Sequence, residues 1–524
     1  MPFGGFALIP NFMHTFLRLL FSLLVSILAG SGASAADRPN IVLIMVDDLG
    51  FSDIGCYGSE IKTPNLDSLA ANGLRFTQFY NCAKCETTRS TLMSGQYYPE
   101  VNNTKLERCI TLAEGMKLAG YTTLMTGKWH VTSDPVSRGF DRYFGHLSGA
   151  CNFFKGDNTF RLDREKFIVP EKGFYTTDAN TDYAIRFLDE STEKGRPFFL
   201  YVAFNAPHYP LHVPEAEYRK YEGKYDSGWD ELRKSRYQRQ IELGLIDPKT
   251  TKLAPRPADV PAWDSLSEDE KEEHKITMPA FAGMVDRVDQ NVGRLISKLK
   301  AMGQWENTLL LFLSDNGACP FQRTKPGTRK NWLMPWDPDS YWTYDKGWAH
   351  AGNTPFREYK QNQHEGGITT PFIAHWPGHI KKPGSITTQS AHLVDIMATL
   401  LDVGDGKYPS SYNGIKVNPA RGRSLAPILA GKQRPPHPFI YQTFYGKNNA
   451  LRVGDWKLVN KNNAAFELYN LAADRSELNN LASREPAKFT EMKTRFEAVQ
   501  KEIGGKAAPA KGKGEKKKKG KKKK

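Results

Sequence analysis

The chain has 524 residues, 40% hydrophobic and 12% aromatic, which is too apolar for a wholly disordered protein. Its formal net charge of +15 points to a polyanion binder, but residues 506–524, eleven lysines against Glu515, supply +10 of that. The body is close to neutral and lacks zinc-finger or basic leucine-zipper spacing, which excludes a basic domain that reads specific nucleic acid.

The N-terminus has a positive residue, Arg18, then an apolar run over 19–29, then the small residues Ala33-Ser34-Ala35-Ala36. This is the layout of a secretory signal peptide, with cleavage expected near 35/36. The run is shorter than the ~20 residues of a spanning helix, and no other stretch reaches that length. The mature chain is therefore expected to be exported, periplasmic or secreted, with no transmembrane segment. Six cysteines (56, 82, 85, 109, 151, 319) show no regular spacing, and a chain of this size needs no disulfide framework.

Short apolar runs at 41–46, 198–204, 309–313 and 372–375, with a weaker one at 122–125, read as buried parallel strands. Between them, 280–302 places Phe281, Met284, Val285, Val288, Val292, Leu295 and Leu299 at helical period. Strands alternating with helices predict an α/β layer architecture with a largely parallel sheet over 36–420. Residues 214–275 are polar and read as a partly helical insertion on the rim. Short strands at 439–443, 450–453 and 456–459 and a helix at 489–502 predict a smaller α+β domain over 421–503. Residues 504–524 cannot bury a core and are expected to be disordered.

The chemistry lies at the strand ends. The strands run into Asp47-Asp48-Leu49-Gly50, Gly127-Lys128-Trp129-His130, Asn205-Ala206-Pro207-His208 and Ser314-Asp315-Asn316-Gly317. Open α/β sheets bind ligands beyond the carboxyl ends of their strands, so these groups should converge on one edge. Asp47, Asp48, Asp315 and Asn316 offer hard oxygen ligands for a divalent cation. Lys128 suits an anionic substrate group, and His130 or His208 can move protons near neutral pH. Cys85 precedes Thr87 and Thr88, either of which could cap a helix and place the thiol at its N-terminus, where its pKa falls. On residues alone, Cys85 reads equally as a buried structural cysteine or half of a disulfide with Cys82.

Cys85-x-x-x-Arg89, with Gly95 ten residues after the Cys, resembles the signature of the type I sulfatases of the alkaline-phosphatase-like superfamily. Cys56-Tyr57-Gly58, Thr63-Pro64-Asn65-Leu66-Asp67, Lys360 with Glu365-Gly366-Gly367, Trp456-Lys457-Leu458 and Glu467–Leu471 match in the same order. The resemblance implies an alkaline-phosphatase-like sandwich: a large mixed, mostly parallel sheet flanked by helices, plus a C-terminal α+β domain with a short antiparallel sheet. It implies that a maturation enzyme oxidises Cys85 to formylglycine, whose hydrate attacks sulfur beside Ca²⁺ (or Mg²⁺) held by Asp47, Asp48, residue 85, Asp315 and Asn316. Arg89 would support the diol, Lys128 and Lys360 hold sulfate oxygens, His208 protonate the leaving oxygen and His130 serve sulfate release. The implied substrate is a sulfated small molecule or sulfated carbohydrate, and the lysine tail offers contact with polyanions. Thr87 stands where the family carries Pro or Ala. Two other readings stay open: a phosphate ester or phosphonate hydrolase on the same scaffold, and a silent protein that grips sulfated polymers.

Overall fold

The computed structural model describes residues 1–4, 38–192 and 195–504. The expected signal peptide, past its first four residues, and the lysine tail lie outside them. The chain divides into an N-terminal unit ending at Arg38 and a main unit from Pro39 onward, and the fold is that of the main unit.

A ten-stranded mixed sheet forms its centre. Its middle is four adjacent parallel strands in the order Thr308–Ser314, Asn40–Val46, Phe198–Ala203, Thr122–Gly127. Phe372–His375 runs antiparallel beside Thr308–Ser314, and Arg142–His146 extends the parallel run on the other side. The central strands are buried throughout because both faces are covered. Val42, Ile44 and Val46 point into one core and Ile41, Leu43 and Met45 into the other. The first core is closed by Pro64–Ala71, Thr176–Thr192 and Glu268–Ala301, the second by Cys85–Ser94, Leu112–Leu118 and Val394–Val403.

The helix expected at 280–302 begins earlier, at Glu268. Ser267 caps it, accepting from the Glu270 N–H, and Pro279 lies inside it. Residues 214–275 contain the helices Glu215–Arg219 and Gly228–Glu242. Trp229 and Trp263 from this stretch interlock with Trp348 at 5.0–5.6 Å, and buried Arg236 pairs with Asp53 at 2.6 Å. Toward the C-terminus, Ile440–Phe444, Asn448–Val453, Trp456–Asn460 and Glu467–Asn470 form an antiparallel meander. The helix Pro486–Ile503 covers it with Met492, Phe496 and Val499. Among the described residues no helix is long and apolar enough to cross a membrane.

Candidate active site

Strand register builds the site. Val46 pairs with Ser314, so Asp47 and Asp315 leave the sheet side by side, and the Asp315 N–H donates to the Val46 carbonyl at 3.1 Å. On the other flank Met45 and Gly127 both pair with Ala203, and the Lys128 N–H donates to the Ala203 carbonyl at 2.8 Å. The turn after Phe198–Ala203 returns His208 to the same edge. Asp48 and His130 adopt left-handed backbone (φ 68° and 55°), sparsely populated for residues with a Cβ and typical of functional turns.

Cys85 is the first residue of the helix Cys85–Ser94. Thr87 and Thr88 do not cap it, contrary to the sequence expectation, because both lie within its first turn and reach back into the preceding loop. The Thr87 hydroxyl faces the carbonyls of Cys82 (3.1 Å) and Lys84 (2.9 Å). The Thr88 hydroxyl donates to the Asp315 carbonyl at 2.6 Å and accepts from the Cys82 N–H at 3.0 Å. The loop leading into Cys85 is thereby stitched to the strand end carrying the acids. Cys82 is not bridged to Cys85; its thiol points to the Thr91 hydroxyl at 3.3 Å.

Cys85 Sγ lies 3.3 Å from Asp47 Oδ1 and 3.1 Å from Lys360 Nζ. The Lys128 ammonium pairs with Asp47, and that of Lys360 with Asp48. Arg89 donates to the Lys128 carbonyl at 2.7 Å and to Asp315 Oδ2 at 3.2 Å. His208 Nε2 is 3.5 Å from Asp48 Oδ2, and Asn316 Nδ2 donates to Asp48 Oδ1 at 2.7 Å. Arg89, Lys128 and Lys360 thus neutralise the clustered carboxylates directly.

A sulfatase family model matches residues 39–406, over this whole site. The chain belongs to the sulfatase family. It is a sulfuric ester hydrolase of alkaline-phosphatase-like fold. A second model, the C-terminal region of N-sulphoglucosamine sulphohydrolase, matches residues 358–502. The sulfatase is 33% identical to an uncharacterized sulfatase of Schizosaccharomyces pombe, over 90% of this chain and 95% of that one. It is 31% identical to the arylsulfatase of Klebsiella aerogenes, over 78% and 96%. The crystal structure of Ps i-CgsB in complex with k-i-k-neocarrahexaose shares its fold, with a TM-score of 0.65 and 24% identity over 88% of this chain and 92% of that one.

The charges of the sulfatase site set its protonation. Burial would raise Asp47, but Lys128, His208, Arg89 and Lys360 hold its carboxyl well below the usual range. Asp315 goes the other way, up to about 7, through burial and the Asp47 charge. The Cys85 thiol is also pushed well above its usual value, by burial first and then by Asp315 and Asp47. This corrects the expectation of a helix-lowered thiol: two carboxylates and desolvation outweigh a helix N-terminus. Cys85 is therefore held as a neutral thiol, a poor nucleophile.

A divalent cation suits the donor set. Asp47, Asp48, Cys85 and His208 bring ligand atoms within 4.8 Å of one another. Asp48 Oδ2 and Asn316 Oδ1 are buried without a hydrogen-bond donor, and Asp315 Oδ1 accepts from the Asp48 N–H at 3.2 Å. Buried acceptors left without donors are what a hard cation satisfies.

His130 makes no hydrogen bond to Cys85 or the acids among the described residues. Its Nδ1 is buried without a partner, and the Gly149 backbone lies against its ring. Burial, then the Lys128 and Arg89 charges, push it well below its usual pKa. Sequence reasoning missed His146, buried at the end of Arg142–His146 with Nε2 unpartnered and its pKa driven down by burial and by Lys128. The strand-end rule would have found it had Arg142–His146 been read as a strand. It also missed Cys319, four residues past Asp315, whose thiol burial and the Asp48 charge raise to about 12.

Proposed function

We propose that this sulfatase is an exported hydrolase of sulfated carbohydrate that works through a formylglycine made from Cys85 and a bound Ca²⁺. The observation that carries the reading is the setting of Cys85. A thiol held neutral is wrong for attack, yet it sits 3.3 Å from Asp47 and 3.1 Å from Lys360, among the Arg89, Lys128 and Lys360 cations and the carboxylates they pair with. Oxidation of Cys85 to formylglycine by a maturation enzyme, followed by addition of water to the aldehyde, would supply the oxygen nucleophile that the thiol lacks.

Asp47, Asp48, residue 85, Asp315 and Asn316 would hold the cation, which supplies Lewis-acid polarisation of the sulfate ester. Lys128 and Lys360 bind the sulfate oxygens and balance the charge that builds in the transition state. Arg89 orients the Lys128 backbone and Asp315, and so holds the clamp in place. His208 Nδ1 meets the Tyr209 carbonyl at 2.7 Å, which fixes the tautomer and leaves Nε2 toward the site. The protonated ring donates from Nε2 to the leaving oxygen, and His130 takes the proton that releases sulfate. Support for carbohydrate comes from the N-sulphoglucosamine sulphohydrolase match and from Ps i-CgsB, which was crystallised with a neocarrahexaose. Export rests on the N-terminal pattern.

The test is mass spectrometry of the Cys85 peptide from a host with a maturation system, paired with turnover of aryl sulfate and aryl phosphate. Formylglycine at residue 85 is expected, with faster sulfate turnover and a loss of about 10³-fold or more in Cys85→Ala. Chelation should abolish activity, and Ca²⁺ should restore it better than Mg²⁺. Unmodified Cys85 in active enzyme would overturn the formylglycine reading, and faster phosphate turnover would overturn the preference for sulfate.

A further inference from the structure

Beyond Asp315 and Asn316 the chain continues into Cys319-Pro320-Phe321-Gln322-Arg323-Thr324-Lys325, so a basic loop begins at the metal-ligand strand end itself. The loop is pinned. The Lys325 N–H donates to the Tyr341 carbonyl at 3.3 Å and the Arg323 N–H to the Thr343 hydroxyl at 3.2 Å. The Thr343 hydroxyl in turn donates to Gln322 Oε1 at 2.7 Å. Arg323 and Lys325 are exposed, and neither has a carboxylate partner among the described residues. Asp339, on the neighbouring segment, is occupied by Lys155 at 2.7 Å.

The two cations are set on aromatic rings. Lys325 Nζ is 3.1 Å from the Tyr341 ring centroid, and the Arg323 guanidinium is 5.2 Å from that of Phe321. Tyr341 lies 6.3 Å from Tyr209, centroid to centroid, and Tyr209 directly follows His208 in the chain. The aromatic surface is therefore next to the residue that faces the leaving group. The electrostatics agree: the Arg323 charge reaches both Tyr209 and Cys319, and Cys319 in turn feels Asp48 and Lys360.

We propose that Tyr209, Tyr341, Arg323 and Lys325 form a leaving-group subsite that binds a sugar ring carrying a second sulfate, so that the enzyme prefers oligosaccharides with more than one sulfate. The proposal rests on the carbohydrate reading above. An aromatic face suits the apolar side of a pyranose, and two unpaired cations beside it would hold an anion that the catalytic lysines do not reach.

The test compares a disaccharide bearing one sulfate with the same disaccharide bearing two, in the wild type and in Arg323→Ala/Lys325→Ala. Both sugars are also used as competitive inhibitors of aryl sulfate turnover. The double variant should lose at least about tenfold of the preference for the disulfated sugar, mainly through KM, and Lys325→Arg should keep it. Added salt should erode the wild-type preference more than the variant's. Equal losses on both sugars, or an unchanged preference, would overturn the subsite. If the wild type cleaves aryl sulfate but neither sugar, the carbohydrate reading fails. The inhibition constants then decide the subsite: tighter inhibition by the disulfated sugar that vanishes in the variant sustains it, and equal inhibition removes it.

Discussion

The proton-donor role proposed for His208 is a single chemical task, and that makes it testable. Its Nδ1 is committed to the Tyr209 carbonyl, so only Nε2 can serve the substrate. Burial is the largest influence on its pKa, and with the Lys128 and Lys360 charges it outweighs Asp47 and Asp48 to bring the ring to about 4 in the free protein. A proton given to the leaving oxygen matters most where that oxygen is a poor leaving group. His208→Ala should therefore lose about 10²- to 10⁴-fold in kcat on an alkyl or sugar sulfate, and much less on a nitrophenyl sulfate. Equal losses on both would make His208 a positioning residue instead. The strand-end groups Asp47, Asp48, Lys128, His208, Asp315 and Asn316 were legible because each follows an apolar run that has to be a buried strand. His146 was not, because Arg142-Tyr143-Phe144-Gly145-His146 is too short and mixed to read as one. The ion pairing of Lys128 and Lys360 was also hidden. Sequence gives residue types and order, whereas the pairing depends on which strands are neighbours.

At the scale of elements, the C-terminal meander is fastened to the segment that carries Lys360. Lys457 bridges Glu365 and Glu477, each at 2.7 Å, in a buried cluster, and Asn448 donates to the Gln361 carbonyl at 2.6 Å. Gln442 donates to the Asn81 carbonyl at 2.7 Å, close to the Cys85 helix. The motifs after residue 450 were visible in the sequence, and so were three of the meander's four strands; Glu467–Asn470 was not read as one. The meander's contacts with the body were not, since they join residues more than eighty positions apart. Glu467 is the member of this joint that should titrate. Burial would raise it, but the hydrogen bond from His364, together with Tyr469 and Arg357, lowers its pKa to about 2. A folded-state value below the ordinary 4.5 means that the carboxylate contributes stability above pH 4.5 and loses it as pH falls toward 2. Glu467→Gln should cost about 1–2 kcal/mol at pH 7 and progressively less below pH 4.5. Thermal melts of both proteins at pH 7 and pH 3 check this. A gap in Tm that stays constant would assign the cost to packing rather than charge.

For the molecule as a whole, the +15 divides into a near-neutral body and a +10 tail over 506–524. The body's useful positive charge is local: Arg89, Lys128 and Lys360 are buried in ion pairs at the site, while Arg323 and Lys325 are exposed beside it. At physiological ionic strength an exposed charge acts over about 8 Å, so charges in the tail act on whatever polyanion touches the tail itself. Their effect should scale with the length of the anion, whereas the effect of Arg323 and Lys325 should be complete on a disaccharide. Removing residues 506–524 should leave turnover of a small aryl sulfate unchanged. It should weaken binding to a long sulfated polysaccharide at low salt and flatten the salt dependence of that binding. Binding isotherms at two salt concentrations for the full and truncated chains measure both effects. If the two forms bind the polymer equally at low salt, the tail is no tether, and any polymer affinity belongs to the folded body and its basic loop.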